Sequence, residues 1–216
     1  MMAPAVPQEH EVAHNFDDLE QEFESHRLGM WLFMASGIMM FGILLAGGVI
    51  LLYQHPDAFA EGRARLDWRL GALNAFFLLT GGCAMTRAAA FAQKAEQDKV
   101  RMNLALSLLP ACGFLAVKFF EYWIQFHHGL LPGNAFHGEG FTSPHAHVFF
   151  GYYFVSTGLQ ALHVLIGMGL IIWSLKVSYK VRFTRAYYTP VEFSGMYWTL
   201  VSLMWIFLFP LLYLVG

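Results

Sequence analysis

The sequence predicts an all-α integral membrane protein, a bundle of five transmembrane helices. Three observations support this fold class. The chain has 216 residues, of which 57% are hydrophobic and only 13% are charged, about half the charged fraction of a soluble domain. Its apolar residues lie in continuous stretches, and about 20 such residues cross the hydrocarbon core of a bilayer. A transmembrane β-barrel would instead show alternating segments of about ten residues.

Five stretches are long and apolar enough to be transmembrane helices. They cover residues 28–53, 70–91, 102–126, 148–173 and 191–215. The second stretch is weaker than the others because it contains Asn74, Thr80 and Arg87. The third contains two charged residues, Lys118 and Glu121.

The distribution of basic residues predicts the orientation of the bundle. With five spans, the N-terminus shares a side with the second and fourth loops. That side carries most of the basic residues, namely Arg27, Arg87, Lys94, Lys99, Arg101, Lys176, Lys180, Arg182 and Arg185. The opposite side carries Arg63, Arg65 and Arg69. By the positive-inside rule, residues 1–26 form a polar, acidic cytoplasmic tail, residues 27–216 form the membrane domain, and the C-terminus lies outside.

Composition excludes several classes of function. The chain has 13 Lys and Arg against 15 Asp and Glu, so it lacks the basic surface of a nucleic-acid-binding protein. Its two cysteines, Cys83 and Cys112, are too few for a disulfide framework, a cysteine-rich zinc site or an iron–sulfur cluster held by this chain alone. No basic segment precedes a short apolar one, so we expect no cleavable signal peptide.

Polar side chains inside the spans are the candidate site residues. Lys118 and Glu121 are three residues apart, hence on one helix face, where they can neutralise each other. Gln160 and His163 have the same spacing on the fourth span. We interpret these residues as part of a buried polar network with a structural role, comprising Lys118, Glu121, Gln160, His163, Thr199 and Ser202. A proton-relay step at the Lys118–Glu121 pair, or snorkelling of Glu121 toward the outer interface, is the alternative.

No ligand set for a heme or a metal stands out. Bis-histidine heme ligation needs two imidazoles at one depth, and no other span places one level with His163. The loop of residues 127–147 is the alternative place for a metal because it contains His127, His128, His137, His145 and His147. Glu139 is its only acidic residue, so we expect a solvated loop or a partner contact. We therefore expect no catalytic, cofactor-binding or metal-binding residue in this chain.

Small and aromatic residues complete the pattern. Glycines in the spans allow helix backbones to approach closely, which predicts a compact bundle. Aromatic residues near the span ends are typical of the belts at membrane surfaces, and they include Trp31, Trp123, Tyr152, Tyr153, Tyr187, Tyr188 and Tyr213. These sequence features do not identify a substrate. An independent channel or carrier and a heme-bearing membrane oxidoreductase stay open as alternatives.

Four segments together resemble the cytochrome c oxidase subunit III family in its five-helix bacterial form. They are LGMWLF at residues 28–33, FLAVKFFEY at residues 114–122, GYYF at residues 151–154 with TGLQALHV at residues 157–164, and YW at residues 197–198 with WIFLFP at residues 205–210. The chain departs from the family pattern at four positions. Gly37 stands where a membrane carboxylate is common, Gln160 and Thr199 replace histidines, and Ser202 replaces an aspartate.

The resemblance implies a non-catalytic accessory subunit in the inner membrane of a bacterial cell. Members of the family pack beside the catalytic subunit I of a heme–copper oxidase, hold phospholipid, and lie near a route of oxygen entry. Heme and copper belong to the partner subunits, and the complex reduces oxygen to water with electrons from cytochrome c or quinol while pumping protons. The accessory chain of a quinol oxidase or of a nitric oxide reductase is the alternative within this resemblance.

Overall fold

The computed structural model describes residues 17–132, 136, 141–184 and 187–215. Within these ranges the chain is helical, apart from short connections and an isolated antiparallel bridge between Leu130 and Phe136. The helices are α1 Leu19–Gln54, α2 Pro56–Ala64, α3 Trp68–Gln93, α4 Gln97–His127, α5 Ala146–Lys180 and α6 Thr189–Tyr213. All but α2 are long and apolar enough to cross a membrane, which confirms the predicted five-helix bundle.

Helix α1 begins inside the segment predicted to be a polar tail. Asp18 caps it by accepting a hydrogen bond of 2.7 Å from the backbone N–H of Gln21, and the Gln21 side chain accepts from Asp17 N–H at 2.8 Å. Such reciprocal capping starts a helix in polar sequence. Hydropathy marks only the apolar part of α1, whereas the helix itself includes residues 19–27. The rest of the predicted tail, residues 1–16, lies outside the described residues.

Helix α2 lies in the first predicted loop and covers the end of the bundle where α5 begins. Pro56 occupies its first position, where a missing N–H costs nothing. Phe59 is buried and packs edge-on against Phe149 of α5, with ring centroids 5.1 Å apart. Gly62 lies directly against the same Phe149 ring. This close contact between α2 and α5 orders the loop at that surface.

Helix α6 is the most buried of the five spans, and α1 is the least buried. Helices α1, α3 and α5 all pack against α6, and α4 packs between α3 and α5. Glycine permits close contacts between these helices, since a Cβ at Gly81 of α3 would lie 2.9 Å from Trp198 Nε1 of α6. Gly113 of α4 lies equally close to Phe77 of α3. The bundle is therefore compact around α6, and α1 packs mainly against α6.

Candidate functional site

The central polar feature of the bundle is an ion pair between Lys118 and Glu121 on α4. Lys118 Nζ lies 2.7 Å from Glu121 Oε2, and the side chains are only 2% and 3% exposed. Tyr213, the last residue of α6, completes the cluster. Its hydroxyl accepts a hydrogen bond of 2.9 Å from Lys118 Nζ and donates one of 2.8 Å to Glu121 Oε1. The three groups thus form a closed ring of hydrogen bonds that joins α4 to α6.

Aromatic rings surround the Lys118 ammonium group. Its Nζ lies 4.6 Å from the centroid of the Trp205 ring, 5.3 Å from that of Tyr153 and 5.5 Å from that of Tyr213. A cation over an aromatic face is stabilised by about 0.5–2 kcal/mol, more where water is excluded. Because these rings belong to α5 and α6, the charged cluster holds three helices together.

A second hydrogen bond lies beside this cluster. The hydroxyls of Tyr122 on α4 and Thr157 on α5 are 2.7 Å apart, and the Tyr122 ring packs edge-on against Tyr153. Thr157 also donates to the backbone carbonyl of Tyr153. The Tyr122 and Thr157 hydroxyls therefore satisfy each other beside the Lys118–Glu121 pair.

The other predicted residues do not join this cluster. Gln160 is buried and donates a hydrogen bond of 2.8 Å to the Val201 carbonyl, which ties α5 to α6. Ser202 donates to the Trp198 carbonyl in its own helix at 2.8 Å and approaches the Leu78 carbonyl of α3 at 3.3 Å. Lys118 and Glu121 thus form one cluster, as the sequence predicts, whereas Gln160, His163, Thr199 and Ser202 make contacts outside it.

His163 and Thr199 differ most from the prediction. His163 is half-buried, and its Nδ1 pairs with the Leu159 carbonyl of its own helix at 2.9 Å. Its ring stacks on Tyr197 with centroids 6.3 Å apart. Thr199 is exposed and donates to the Gly195 carbonyl at 2.9 Å. Its assignment as buried is wrong, because matching depth along a helix does not fix which face a residue occupies.

Several residues that make these contacts are not predicted from the sequence, or are predicted in another place. Tyr152, Tyr153 and Tyr213 were expected in an aromatic belt, yet they face the bundle interior and are at most 8% exposed. Trp198 and Trp205 are fully buried and donate their Nε1–H groups to backbone carbonyls of α3, at 3.0 and 3.1 Å. A buried Trp usually donates its N–H to a polar partner. A Trp in the middle of an apolar span, away from the membrane surfaces, is therefore the sequence signal for contacts of this kind.

The histidine-bearing loop meets α2 at the surface. The rings of His55 and His145 lie 4.5 Å apart, and those of His145 and His147 lie 6.3 Å apart. Among residues 17–132, 136, 141–184 and 187–215, no group of three or more His, Cys, Asp or Glu residues is arranged to hold a metal ion. His137 lies outside the described residues.

Glu61 of α2 anchors the end of this loop. Its carboxylate accepts hydrogen bonds from the Thr142 hydroxyl, the Thr142 N–H at 3.1 Å and the Ser143 N–H at 3.2 Å. The Thr142 hydroxyl is the largest of the influences that hold the pKa of the Glu61 carboxyl below its usual value of 4.5. The loop is therefore fastened to α2 by a charge-assisted contact.

The family of the chain follows from comparison with known proteins. A family model described as cytochrome c oxidase subunit III matches residues 21–216. The chain belongs to the cytochrome c oxidase subunit III family. All three residues of the Lys118–Glu121–Tyr213 cluster lie within the matched range.

Relatives of this subunit III chain come from several kinds of oxidase. The heme-copper oxidase subunit I+III of Aeropyrum pernix is 28% identical over 195 residues, which is 88% of this chain and 22% of that protein. The probable quinol oxidase subunit 3 of Staphylococcus haemolyticus is 25% identical and covers 93% of this chain and 94% of its own length. The cytochrome bo(3) ubiquinol oxidase subunit 3 of Pseudomonas aeruginosa is 23% identical, with 96% and 93% covered. This chain thus spans about a fifth of the first relative and nearly all of the other two.

Gly37, where the resemblance implies a carboxylate, lies at a close contact between two helices of this subunit III chain. Gly37 of α1 faces Leu200 of α6, and a Cβ at Gly37 would lie 2.9 Å from Leu200 Cδ2. A carboxylate at this position would meet the apolar Leu200 side chain. The absence of a side chain at Gly37 therefore allows close packing of α1 on α6.

Proposed function

We propose that this chain is the non-catalytic subunit III of a bacterial heme–copper terminal oxidase. The match of the subunit III family model to residues 21–216 carries this proposal. The complex takes electrons from cytochrome c or quinol, reduces oxygen to water and pumps protons. The chain itself stabilises the catalytic subunit I and lines a lipid or oxygen access route.

Assembly with subunit I is supported by the Aeropyrum relative, whose name joins subunits I and III in one protein. Only 22% of that protein corresponds to this chain. A fusion of this kind places two subunits permanently together. We infer that the present chain binds a separate subunit I, with other respiratory-complex subunits as neighbours.

The geometry of the Lys118–Glu121–Tyr213 cluster supports a structural role. Lys118 and Glu121 lie 2.7 Å apart, and the Tyr213 hydroxyl lies 2.8 Å from the Glu121 carboxylate and 2.9 Å from Lys118 Nζ. A proton relay needs an acceptor beyond the pair. The polar contacts of Lys118 and Glu121 with the described residues lead only to each other and to Tyr213. The cluster therefore fixes α4, α5 and α6 relative to one another.

The proposed complex keeps its heme and copper in partner subunits. The described part of this chain arranges no three His, Cys, Asp or Glu side chains so that they could hold a metal ion. Bound phospholipid is the non-protein component that we assign to this chain. The proposed location is the inner membrane of the cell, with the N-terminus in the cytoplasm as the basic residues predict.

Affinity purification through a tag on this chain, followed by mass spectrometry, tests the proposal. We expect a larger heme-bearing subunit I to be recovered in equal amount, together with phospholipid. Recovery of a nitric oxide reductase catalytic subunit would show that the chain belongs to that complex instead. Recovery of the chain alone, with ion transport after reconstitution in liposomes, would contradict the accessory role and support an independent channel.

A further inference from the structure

Asn74 of α3 carries a buried amide without a hydrogen-bond partner. The residue is fully buried, and neither its Nδ2 nor its Oδ1 atom hydrogen-bonds to any residue in the described part of the chain. An unpaired amide in an apolar interior is costly, because water satisfies both of its groups in the unfolded chain. In native proteins such groups are nearly always satisfied by protein or by ordered water. The described residues therefore leave both groups of this amide to a bound molecule.

The positions of its neighbours on α3 show where the Asn74 side chain points. Gly71 lies against α6, since a Cβ at this position would be 3.2 Å from Tyr213 Cδ1. Phe77 lies against Gly113 of α4. At about 100° per residue, Asn74 falls midway between Gly71 and Phe77 around the helix. Its side chain is therefore directed between α6 and α4, into the interior of the bundle.

The Lys118–Glu121 pair lies at the level of Asn74. Asn74 is six residues from the start of α3, and Glu121 is six residues from the end of α4. Because a short turn joins α3 to α4 and the two helices pack together, both residues are about 9 Å from the same end of the bundle. Trp205 connects the two places. Its Nε1 donates to the Gly71 carbonyl at 3.1 Å, and Lys118 Nζ lies 4.6 Å from the centroid of its ring.

The Lys118 ammonium group has one N–H without an oxygen or nitrogen acceptor among the described residues. An ammonium has three N–H donors, and two of them are directed to Glu121 Oε2 at 2.7 Å and to the Tyr213 hydroxyl at 2.9 Å. No direct hydrogen bond joins Lys118 to Asn74, since the Asn74 amide is unpaired. One donor of Lys118 and both groups of Asn74 therefore face the same interior space without partners.

We propose that one buried water molecule bridges Asn74 and Lys118. The bound molecule must both donate and accept hydrogen bonds, because Asn74 offers one group of each kind. The water accepts from Lys118 Nζ and from Asn74 Nδ2, and it donates to Asn74 Oδ1. Three hydrogen bonds are the usual number for a buried water molecule. The bridge extends the Lys118–Glu121–Tyr213 cluster to α3, and it hydrates an ammonium group whose side chain is only 2% exposed, which lowers the cost of burying the charge.

X-ray footprinting of the intact complex tests this proposal. An X-ray pulse splits water into hydroxyl radicals, so a fully buried side chain is oxidised only where a water molecule lies next to it. Trp205 and Trp198 are a matched pair, because both are fully buried and both donate Nε1–H to a carbonyl of α3. By mass spectrometry, we expect Trp205 to be oxidised at least tenfold faster than Trp198. A soluble radical scavenger should slow the oxidation of Tyr53, which is 88% exposed, without slowing that of Trp205.

The variant Asn74→Leu removes the amide and keeps a side chain of similar volume. In this variant complex, the oxidation of Trp205 should fall to the rate of Trp198. Ser107→Ala is the control, because Ser107 is also buried but its hydroxyl donates to the Leu104 carbonyl of its own helix at 2.7 Å, and it should leave the oxidation of Trp205 unchanged. Thermal melting of each variant complex shows that it is folded, and the comparison of Trp205 with Trp198 in the unaltered complex needs no variant.

Three results would overturn the proposal. Equal oxidation of Trp205 and Trp198 in the unaltered complex would show that no water molecule lies beside the cluster. Protection of Trp205 by the scavenger would show that bulk solvent reaches it. Undiminished oxidation of Trp205 in a folded Asn74→Leu complex would show that Asn74 does not hold the water. None of these results depends on which catalytic subunit is the partner, so the function proposed above is tested separately.

Discussion

Lys118 Nζ and Tyr213 Oη lie 2.9 Å apart, so a cation on α4 is tied to the final residue of α6. The same hydroxyl donates to Glu121 Oε1. One neutral side chain therefore satisfies both members of a buried ion pair. This arrangement makes the stability of the bundle depend on a local ion pair of α4 and on Tyr213, which is distant from it in sequence.

Replacing Glu121 with glutamine should destabilise the complex. The change leaves the Lys118 ammonium buried without a counter-charge, and breaking a buried ion pair in this way costs about 3–5 kcal/mol. We expect a lower melting temperature and a lower yield of assembled complex. Thermal denaturation of the purified complex measures this.

The matched control removes both charges. Lys118→Met combined with Glu121→Leu leaves no uncompensated charge, and such replacements are often neutral or stabilising. We therefore expect the double variant to recover most of the lost stability. If Glu121→Gln abolishes proton pumping while the complex keeps its stability, the structural role of the pair is contradicted.

Replacing Tyr213 with phenylalanine should have a smaller effect. The ring that covers Lys118 is kept, but the buried cation and carboxylate each lose one hydrogen bond, at a cost of about 1–3 kcal/mol. The melting temperature should fall by less than in Glu121→Gln. Tyr53→Phe is the control because Tyr53 is 88% exposed, and it should leave the melting temperature unchanged. If Tyr213→Phe and Tyr53→Phe change the melting temperature equally, the hydrogen bonds of the Tyr213 hydroxyl do not stabilise the bundle.

Two adjacent glycines on α3 should respond differently to alanine. A Cβ at Gly81 would lie 2.9 Å from the Nε1 of Trp198, which is fully buried, whereas at Gly82 the nearest atom of the same residue is 3.7 Å away. Overpacking of this kind costs about 1–3 kcal/mol. Gly81→Ala should lower the melting temperature, and Gly82→Ala should not. A neutral Gly81→Ala would show that α3 and α6 pack less closely than described.

Acid should loosen the loop that Glu61 holds. Because the Thr142 and Ser143 hydrogen bonds lower the pKa of the folded carboxyl, their stabilising contribution is complete above the usual pKa of 4.5. It is lost as pH falls through the lower pKa of the folded state. Amide hydrogen exchange of residues 141–145 should thus lose protection below about pH 4.5.

Glu61→Gln should reduce that protection at neutral pH as well, because a neutral amide accepts the same hydrogen bonds more weakly than a carboxylate. Asp57→Asn, an exposed change on the same helix, serves as the control and should leave protection intact. Protection that is independent of pH and of Glu61 would show that other contacts hold the loop.

The five spans and the Lys118–Glu121 pair follow from sequence because each depends on local spacing. Hydropathy over about 20 residues identifies a span, and a separation of three residues puts two charges on one helix face. Tyr213 is different. It lies 92 residues beyond Glu121, and only the folded arrangement of the helices, in which α3 and α5 pack against both α4 and α6, brings the two together.

The limits of prediction are clearest at Gln160 and Thr199. The sequence groups both with the buried polar residues. Gln160 is buried as expected, but its partner is the Val201 backbone carbonyl, and Thr199 is exposed. Any residue supplies a backbone carbonyl, so no sequence pattern marks Val201 as the partner. The exposure of Thr199 depends on which face α6 turns toward its neighbours, and matching depth does not determine that rotation.

The absorption spectrum tests the central claim most directly, measured on the complex and on this chain separated from it. We predict that the complex shows a heme Soret band and reduces oxygen, that the remaining subunits retain the band after this chain is removed, and that the separated chain shows none. A stoichiometric Soret band or bound copper on the separated chain would contradict the account.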